Sequence, residues 1–216
     1  MISEVYNEDN MIGMARYPDK YFDLAIVDPP YGISENGNRD LVPKGAASKR
    51  KKYHTALWDQ KVPNELYFQE LFRVSKNQII WGGNYFSIIP SRCWLVWDKR
   101  NGCPGNDFAD CELAWTSFTT SVRMFSYLWN GMLQENMKSK EDRIHPTQKP
   151  IQLYKWILSN YAKQGDKILD THLGSGSSRI ACWDGGFDFT GFELDKEYFY
   201  AQEKRFNNFK AQYKLF

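Results

Sequence analysis

Asp28, Pro29, Pro30 and Tyr31 stand side by side, with Gly32 behind them. Asp28 supplies a carboxylate that can accept protons or hydrogen bonds. The two prolines carry no N–H and hold fixed φ angles, so the Pro29 carbonyl is held stiffly and finds no donor on Pro30. Tyr31 offers a flat ring on which a planar base could stack. Together they read as a proton-accepting cradle beside a stacking surface. The plain structural alternative is a Pro-Pro turn capped by an aspartate, although loops of this kind carry sites disproportionately.

Two further stretches could hold a ligand. His145-Pro146-Thr147-Gln148-Lys149-Pro150 precedes a helical pattern over 151–162, in which Leu153, Trp156, Ile157 and Tyr161 share a face. Pro150 suits a first helical turn, and the free N–H groups there, with Lys149 beside them, would receive a carboxylate. Later, Lys167-Ile168-Leu169-Asp170 reads as a strand that runs into Thr171-His172-Leu173-Gly174-Ser175-Gly176 and a helix from Ser177. Glycines there let backbone approach a ligand, and the helix start aims N–H groups at it. The following strand, Phe189 to Phe192, ends at Glu193, the place for an acidic residue that accepts hydrogen bonds from ribose hydroxyls. Asp195 suits a helix cap better than that role.

The elements that must position these groups follow from periodicity. A short helix is expected within 7–17. The apolar run before Asp28 makes a buried strand over 22–28. Apolar periodicity vanishes over 33–61, where Lys44, Lys49, Arg50, Lys51, Lys52 and His54 form a basic run with Tyr53 and Trp58. On its own such a run is a solvated loop, but directly after the Asp28 loop it reads as a DNA contact. A helix over 64–75 and a strand over 78–81 come next, halted by Gly82 and Gly83. Asn84, Tyr85 and Phe86 then either line the same cleft or start the next packed element. Strands are expected at 93–97, 111–117 and 122–129, the last two joined as a hairpin by a Ser/Thr-rich turn. A surface loop over 132–143 and a closing helix over 196–209 complete the pattern.

With 216 residues, the chain suits one α/β domain over 1–216. Net charge is +2, which permits nucleic acid without demanding it, and the 16% aromatic content suits a core with rings to spare for stacking. Cys93, Cys103, Cys111 and Cys182 form no Cys-x-x-Cys pair, so no metal site is expected. Scattered cysteines, with no signal peptide and no membrane-length apolar stretch, lead to the expectation of a cytoplasmic protein.

In this order the Asp-Pro-Pro-Tyr tetrad, the His145–Pro150 hexapeptide and Asp170 with Gly174-x-Gly176 resemble the β-group adenine-N6 DNA methyltransferases, from about residue 20 to 200. The resemblance implies a single-domain Rossmann-like, S-adenosylmethionine-dependent methyltransferase fold. Its sheet would be mostly parallel with a C-terminal-type antiparallel hairpin, and its order circularly permuted: a catalytic half 1–143, including the basic loop 33–61, then a cofactor half 144–216. It further implies that Asp28 and the Pro29 carbonyl, with Pro30 stiffening the loop, accept the hydrogens of the target amine while Tyr31 stacks on the extruded base. Asp28 would also border the cofactor, Thr147 and Lys149 would hold its methionine carboxylate, and Asp170, Leu173, Gly174, Ser175 and Gly176 would surround the methionine portion. Glu193 would take the ribose. Lys49, Arg50, Lys51, Lys52 and His54 would grip double-stranded DNA, with no membrane partner and room for a homodimer. Thr171 and His172 depart from the family's usual Pro and Phe. Recognition would fall to 33–61 and about 98–143, suggesting a short site. Cytosine N4 offers the same amine geometry, although Ser more often opens that group's tetrad. A nicotinamide dehydrogenase would want a third glycine where Arg179 stands. An inactive DNA- or cofactor-binding partner is the non-enzymatic alternative.

Overall fold

The computed structural model describes residues 1–33, 62–100, 102, 109–130 and 133–213. Its central feature is β2 (Phe22–Val27), in which Leu24, Ala25, Ile26 and Val27 are all buried. Alternate side chains point to opposite faces of a strand. Accordingly Leu24 and Ile26 join a core with Leu153, Ile157 and Ala181, whereas Ala25 and Val27 join another with Met14, Tyr67, Leu71 and Val74. The sheet is therefore sandwiched between helices on both faces. Each fully buried Leu or Ile contributes roughly 1.5–3 kcal/mol, so a strand that is apolar on both faces is fixed firmly in the middle of the molecule.

The remaining elements follow in chain order: β1 (Ser3–Tyr6), α1 (Asn10–Met14), then β2, α2 (Glu65–Val74), β3 (Ser75–Trp81), β4 (Trp94–Asp98), β5 (Cys111–Thr116) and β6 (Arg123–Ser126). A small ribbon pairs β7 (Trp129–Asn130), at the end of the expected 122–129 strand, with β8 (Leu133–Gln134), where a loop was expected. Then come α3 (Ile151–Tyr161), β9 (Lys167–Asp170), α4 (Ser177–Gly185), β10 (Asp188–Phe192) and α5 (Lys196–Tyr213). The eight-stranded sheet runs β1-β10-β9-β2-β3-β5-β4-β6. Late in sequence, β9 sits centrally beside β2, as the permuted order requires.

The expected hairpin is misplaced. Strands β5 and β6 exist, but they are not neighbours, because β4 lies between them. β4 pairs antiparallel with β5 and parallel with β6, and β5 also runs antiparallel to β3. The antiparallel hairpin is thus β4–β5, and within the eight-stranded sheet, among the described residues, β5 alone opposes the direction of its neighbours. β1 was not expected from its polar, four-residue sequence; pairing with β10 makes it an edge strand. No helix among the described residues is long and apolar enough to cross a membrane.

Caps fix several helix starts. Asp9 Oδ1 accepts from the Met11 N–H (2.8 Å), and Asn64 Oδ1 from the Tyr67 N–H (3.1 Å). Asp195 Oδ1 accepts from Glu197 and Tyr198 N–H, the capping role expected of it.

Candidate active site

Because β2 and β9 are parallel neighbours, the Asp28 loop and the Thr171–Gly176 loop emerge at the same edge of the sheet, where α/β folds place their ligands. A cavity of about 630 Å³ opens there, within the range of small-molecule sites. Of the residues singled out from sequence, Asp28, Pro30, Thr147, Lys149, Leu173, Gly174, Ser175 and Glu193 line it.

At one end stands Asp28, with both oxygens engaged. Oδ1 accepts from the Tyr31 hydroxyl (2.6 Å) and Oδ2 from the Lys149 ammonium (2.6 Å), which also reaches the Tyr31 hydroxyl at 3.2 Å. Burial raises the Asp28 pKa, with Lys149 pulling the other way. Donors on both oxygens stabilise the carboxylate form. Burial works against the Lys149 charge, but Asp28 and Glu112 overcome it and raise its pKa. Tyr31 is held from several sides. The Tyr85 ring stacks on it, centroids 4.9 Å apart and planes within 11°, and Phe86 meets it edge-on. Tyr85 and Phe86 thus pack on Tyr31, Phe86 also against the core, and neither lines the cavity. Gly82, at φ 69°, passes so close that a Cβ there would lie 2.1 Å from the Tyr31 ring.

Lys149 lines the cavity and is also tied to Asp28. Its Nζ bonds Asp28 and Tyr31 and lies 3.0 Å from Glu112 Oε2, with the side chain only 2% exposed. Lys149 is therefore bonded to Asp28 and Tyr31 and charge-paired with Glu112 while it faces the cavity. The helix start beside it is taken: the Ile151 N–H donates to Glu141 Oε1 (3.0 Å), a carboxylate of the chain itself. Glu141 in turn pairs with Arg205 (2.7 Å), which also donates to the Ser175 carbonyl (2.8 Å), tying the glycine loop to α5.

The other end is built around Glu193. Its Oε2 accepts from the Gly174 N–H (2.7 Å) and its Oε1 from the Asp195 N–H (2.9 Å). A carboxylate has about four acceptor positions, so the two backbone bonds orient it and leave capacity for ligand hydroxyls. Burial raises its pKa to about 7, against the pull of those two N–H groups. Gly174, at φ 51°, makes the turn that presents its N–H.

Asp170 is a brace. It accepts from the Ser178 hydroxyl (2.5 Å) and the His172 N–H (3.0 Å), is itself buried, and lies outside the cavity lining. Gly176, the first residue before α4, and Pro29 and Tyr31 also lie outside that lining. The departures at Thr171 and His172 form a network: the Thr171 hydroxyl bonds Tyr67 Oη (2.6 Å) and His172 Nδ1 (2.9 Å), and Asn10 Nδ2 reaches His172 Nε2 (3.2 Å). Burial lowers the His172 pKa to about 3, so the ring is a neutral aromatic wall of the cavity. His145, lowered to about 3 by burial and then by Lys149, accepts from Thr147 and packs edge-on against Tyr198.

Sequence reading missed Glu112, although an acidic residue in the otherwise apolar run of β5 was a signal. It also missed Asp9 and Asn10, which line the cavity from the start of α1. Lys49, Arg50, Lys51, Lys52 and His54 lie outside the described residues.

Solved structures share this architecture. M1.HpyAVI in complex with S-adenosylmethionine aligns with a TM-score of 0.58 and 21% identity, covering 95% of this chain and 100% of that one. The PvuII cytosine-N4-specific DNA methyltransferase aligns with a TM-score of 0.59 and 12% identity, covering 98% and 92%. In sequence, the Type II methyltransferase M2.DpnII of Streptococcus pneumoniae is 25% identical over 95% of this chain and 92% of its own length. The Type II methyltransferase M2.LlaDCHI of Lactococcus lactis subsp. cremoris is 29% identical over 52% of this chain and 41% of its own length. The DNA methylase family matches residues 48–204. With that match spanning most of the chain, and the Asp28 loop and Glu193 facing one cavity, the chain belongs to the DNA methylase family of S-adenosylmethionine-dependent enzymes.

Proposed function

We propose that this methyltransferase modifies N6 of adenine in DNA, acting on a base extruded from the duplex, with Asp28 as its central catalytic group. The observation that carries the reading is the Asp28 carboxylate. It is fixed through both oxygens at the end of β2, and it lines the cavity that Glu193 closes on the other side.

Bound S-adenosylmethionine supplies an electrophilic sulfonium methyl. The chain's residues supply the rest. The pinned Glu193 carboxylate suits ribose hydroxyls, Gly174 and Ser175 bring backbone close to the ligand, and the His172 ring gives an apolar wall. An adenine N6 lone pair is delocalised into the ring, so the amine is a poor nucleophile. Asp28, with the Pro29 carbonyl, draws its hydrogens and favours the pyramidal, attacking form. Positive charge developing on the nitrogen is stabilised by the Asp28 carboxylate, an effect strengthened where water is excluded. Holding the amine in line provides a further gain. Extrusion costs a few kcal/mol of unstacking, offset by aromatic contacts at the Tyr31–Tyr85 pair. The 33–61 tract, with Lys49, Arg50, Lys51, Lys52 and His54, grips phosphates.

The test is digestion of enzyme-treated DNA to nucleosides. N6-methyladenine is expected. N4-methylcytosine would replace the adenine assignment, and cofactor binding without any DNA product would establish an inactive partner.

A further inference from the structure

Four buried or half-buried charges alternate in sign behind the proposed catalytic carboxylate. Lys99 Nζ lies 2.9 Å from Glu112 Oε1, Glu112 Oε2 lies 3.0 Å from Lys149 Nζ, and Lys149 Nζ lies 2.6 Å from Asp28 Oδ2. Their chain positions are far apart. Asp28 ends β2, Lys149 precedes α3, Glu112 sits on β5 opposite Trp97, and Lys99 follows β4. The placement of β5 next to β3, which pairs with β2, brings them together.

A lone lysine against Asp28 would present a problem. It would hold the carboxylate ionised, but its own charge would cancel the negative field that a developing cationic amine requires. It would also be a buried ammonium with a single counter-ion, an arrangement that is costly unless its remaining donors are satisfied. Glu112 offsets the Lys149 charge and supplies its second counter-ion, with Lys149 shared between two carboxylates. We propose that Glu112 is a positioning residue for methyl transfer: it anchors the Lys149 ammonium against Asp28 and offsets its charge, so that Asp28 faces the target amine with a net negative field. This rests on the adenine-N6 reading of the same site. Two observations agree with it. Glu112 lies outside the cavity lining, so it acts through Lys149 and not on a ligand. Although burial opposes its charge, Lys149 and then Lys99 hold its pKa at about 2, so it stays ionised.

The experiment compares wild type, Glu112→Gln, Glu112→Asp and Lys99→Gln for single-turnover transfer of labelled methyl to DNA, for S-adenosylmethionine affinity and for melting temperature. Glu112→Gln should lower the transfer rate at least tenfold with cofactor affinity within twofold of wild type. Glu112→Asp, which keeps the charge, should recover part of that rate. Lys99→Gln, on the far side of Glu112, should cost less than threefold. Equal rates for the Gln and Asp variants would overturn the proposal, as would a Glu112→Gln variant transferring at the wild-type rate. Loss of cofactor affinity in step with activity would reduce Glu112 to a structural role and overturn it too. If Glu112→Gln fails to fold, the Asp and Lys99 variants still decide the matter: a folded Glu112→Asp variant transferring tenfold or more slower than wild type refutes it. A wild-type protein that methylates no adenine would overturn the underlying reading instead, so the two failures are distinguishable.

Discussion

Lowering the pH from 7 to 6 should weaken S-adenosylmethionine binding about fivefold, and Glu193→Gln should abolish most of that dependence. The magnitude follows from the carboxyl of Glu193, which burial raises to about 7 against the pull of the Asp195 and Gly174 N–H bonds. If ribose hydroxyls bond to the ionised form, the apparent dissociation constant scales with the unionised excess: a factor of about 2 at pH 7 and about 11 at pH 6, a ratio near fivefold or about 1 kcal/mol. Binding is thus lost as pH falls through about 7. Folding stability has the opposite sign. A carboxyl whose pKa is raised on folding favours the native state when protonated, so its contribution weakens as pH rises from the ordinary carboxylate range toward 7. The two cavity histidines are excluded as the source, because burial holds His145 and His172 at about 3 and both stay neutral across the interval. Asp170 also titrates at about 7 through burial, but it braces the loop from outside the cavity lining, so its contribution should register in melting curves more than in affinity. Calorimetric titration at both pH values, on wild type and Glu193→Gln, gives the answer. An affinity flat between pH 6 and 7, or an equal pH dependence in the variant, would refute the placement of the ribose on Glu193.

Other substitutions follow from the same geometry. Gly82→Ala combines a left-handed φ, worth roughly 1–2 kcal/mol for a residue with a side chain, with a Cβ 2.1 Å from the Tyr31 ring. Methyl transfer should fall more steeply than melting temperature, and an unaffected rate would show that the Tyr31 position does not matter. Arg205→Ala removes the ion-pair partner of the half-buried Glu141, which keeps the Ile151 N–H, and releases the Ser175 carbonyl, so a drop in melting temperature with weakened cofactor binding is expected. A melting temperature unchanged within a degree or two would contradict it. Lys51→Ala with Lys52→Ala should weaken DNA binding at low salt and flatten its salt dependence by roughly one unit of slope per lost phosphate contact, measured by fluorescence anisotropy. An unchanged slope would assign the tract to solvent.

Much of the site was legible because its chemistry is local in sequence. Asp28 and Tyr31 lie three positions apart and bond directly. The glycine loop with Glu193 follows from the strand–loop–helix–strand pattern, and buried strands such as β2 and β9 announce themselves by continuous apolar runs. What escaped was non-local. Lys149 and Asp28 are 121 positions apart, and nothing in the hexapeptide says that its lysine turns inward to a carboxylate while Glu141 takes the helix start. The hairpin was misplaced for a related reason: a Ser/Thr-rich turn between two strand-like runs suggests adjacency, yet β4 slots between β5 and β6. Edge strand β1, short and polar, derives its conformation from pairing with β10. The family's Pro-Phe positions are filled by Thr171 and His172, whose compensation through Tyr67 and Asn10 exists only in three dimensions.

The central claim is that Asp28 drives methyl transfer to adenine N6. It is tested most directly by presenting labelled S-adenosylmethionine and unmethylated DNA to wild type and Asp28→Ala, with the DNA digested to nucleosides. Lys149 retains Glu112 as its counter-ion in the variant, so the fold should survive and can be verified by circular dichroism. Label in N6-methyladenine from wild type and none from folded Asp28→Ala is the predicted result. Label retained by the variant, or found elsewhere than adenine N6, would contradict the account.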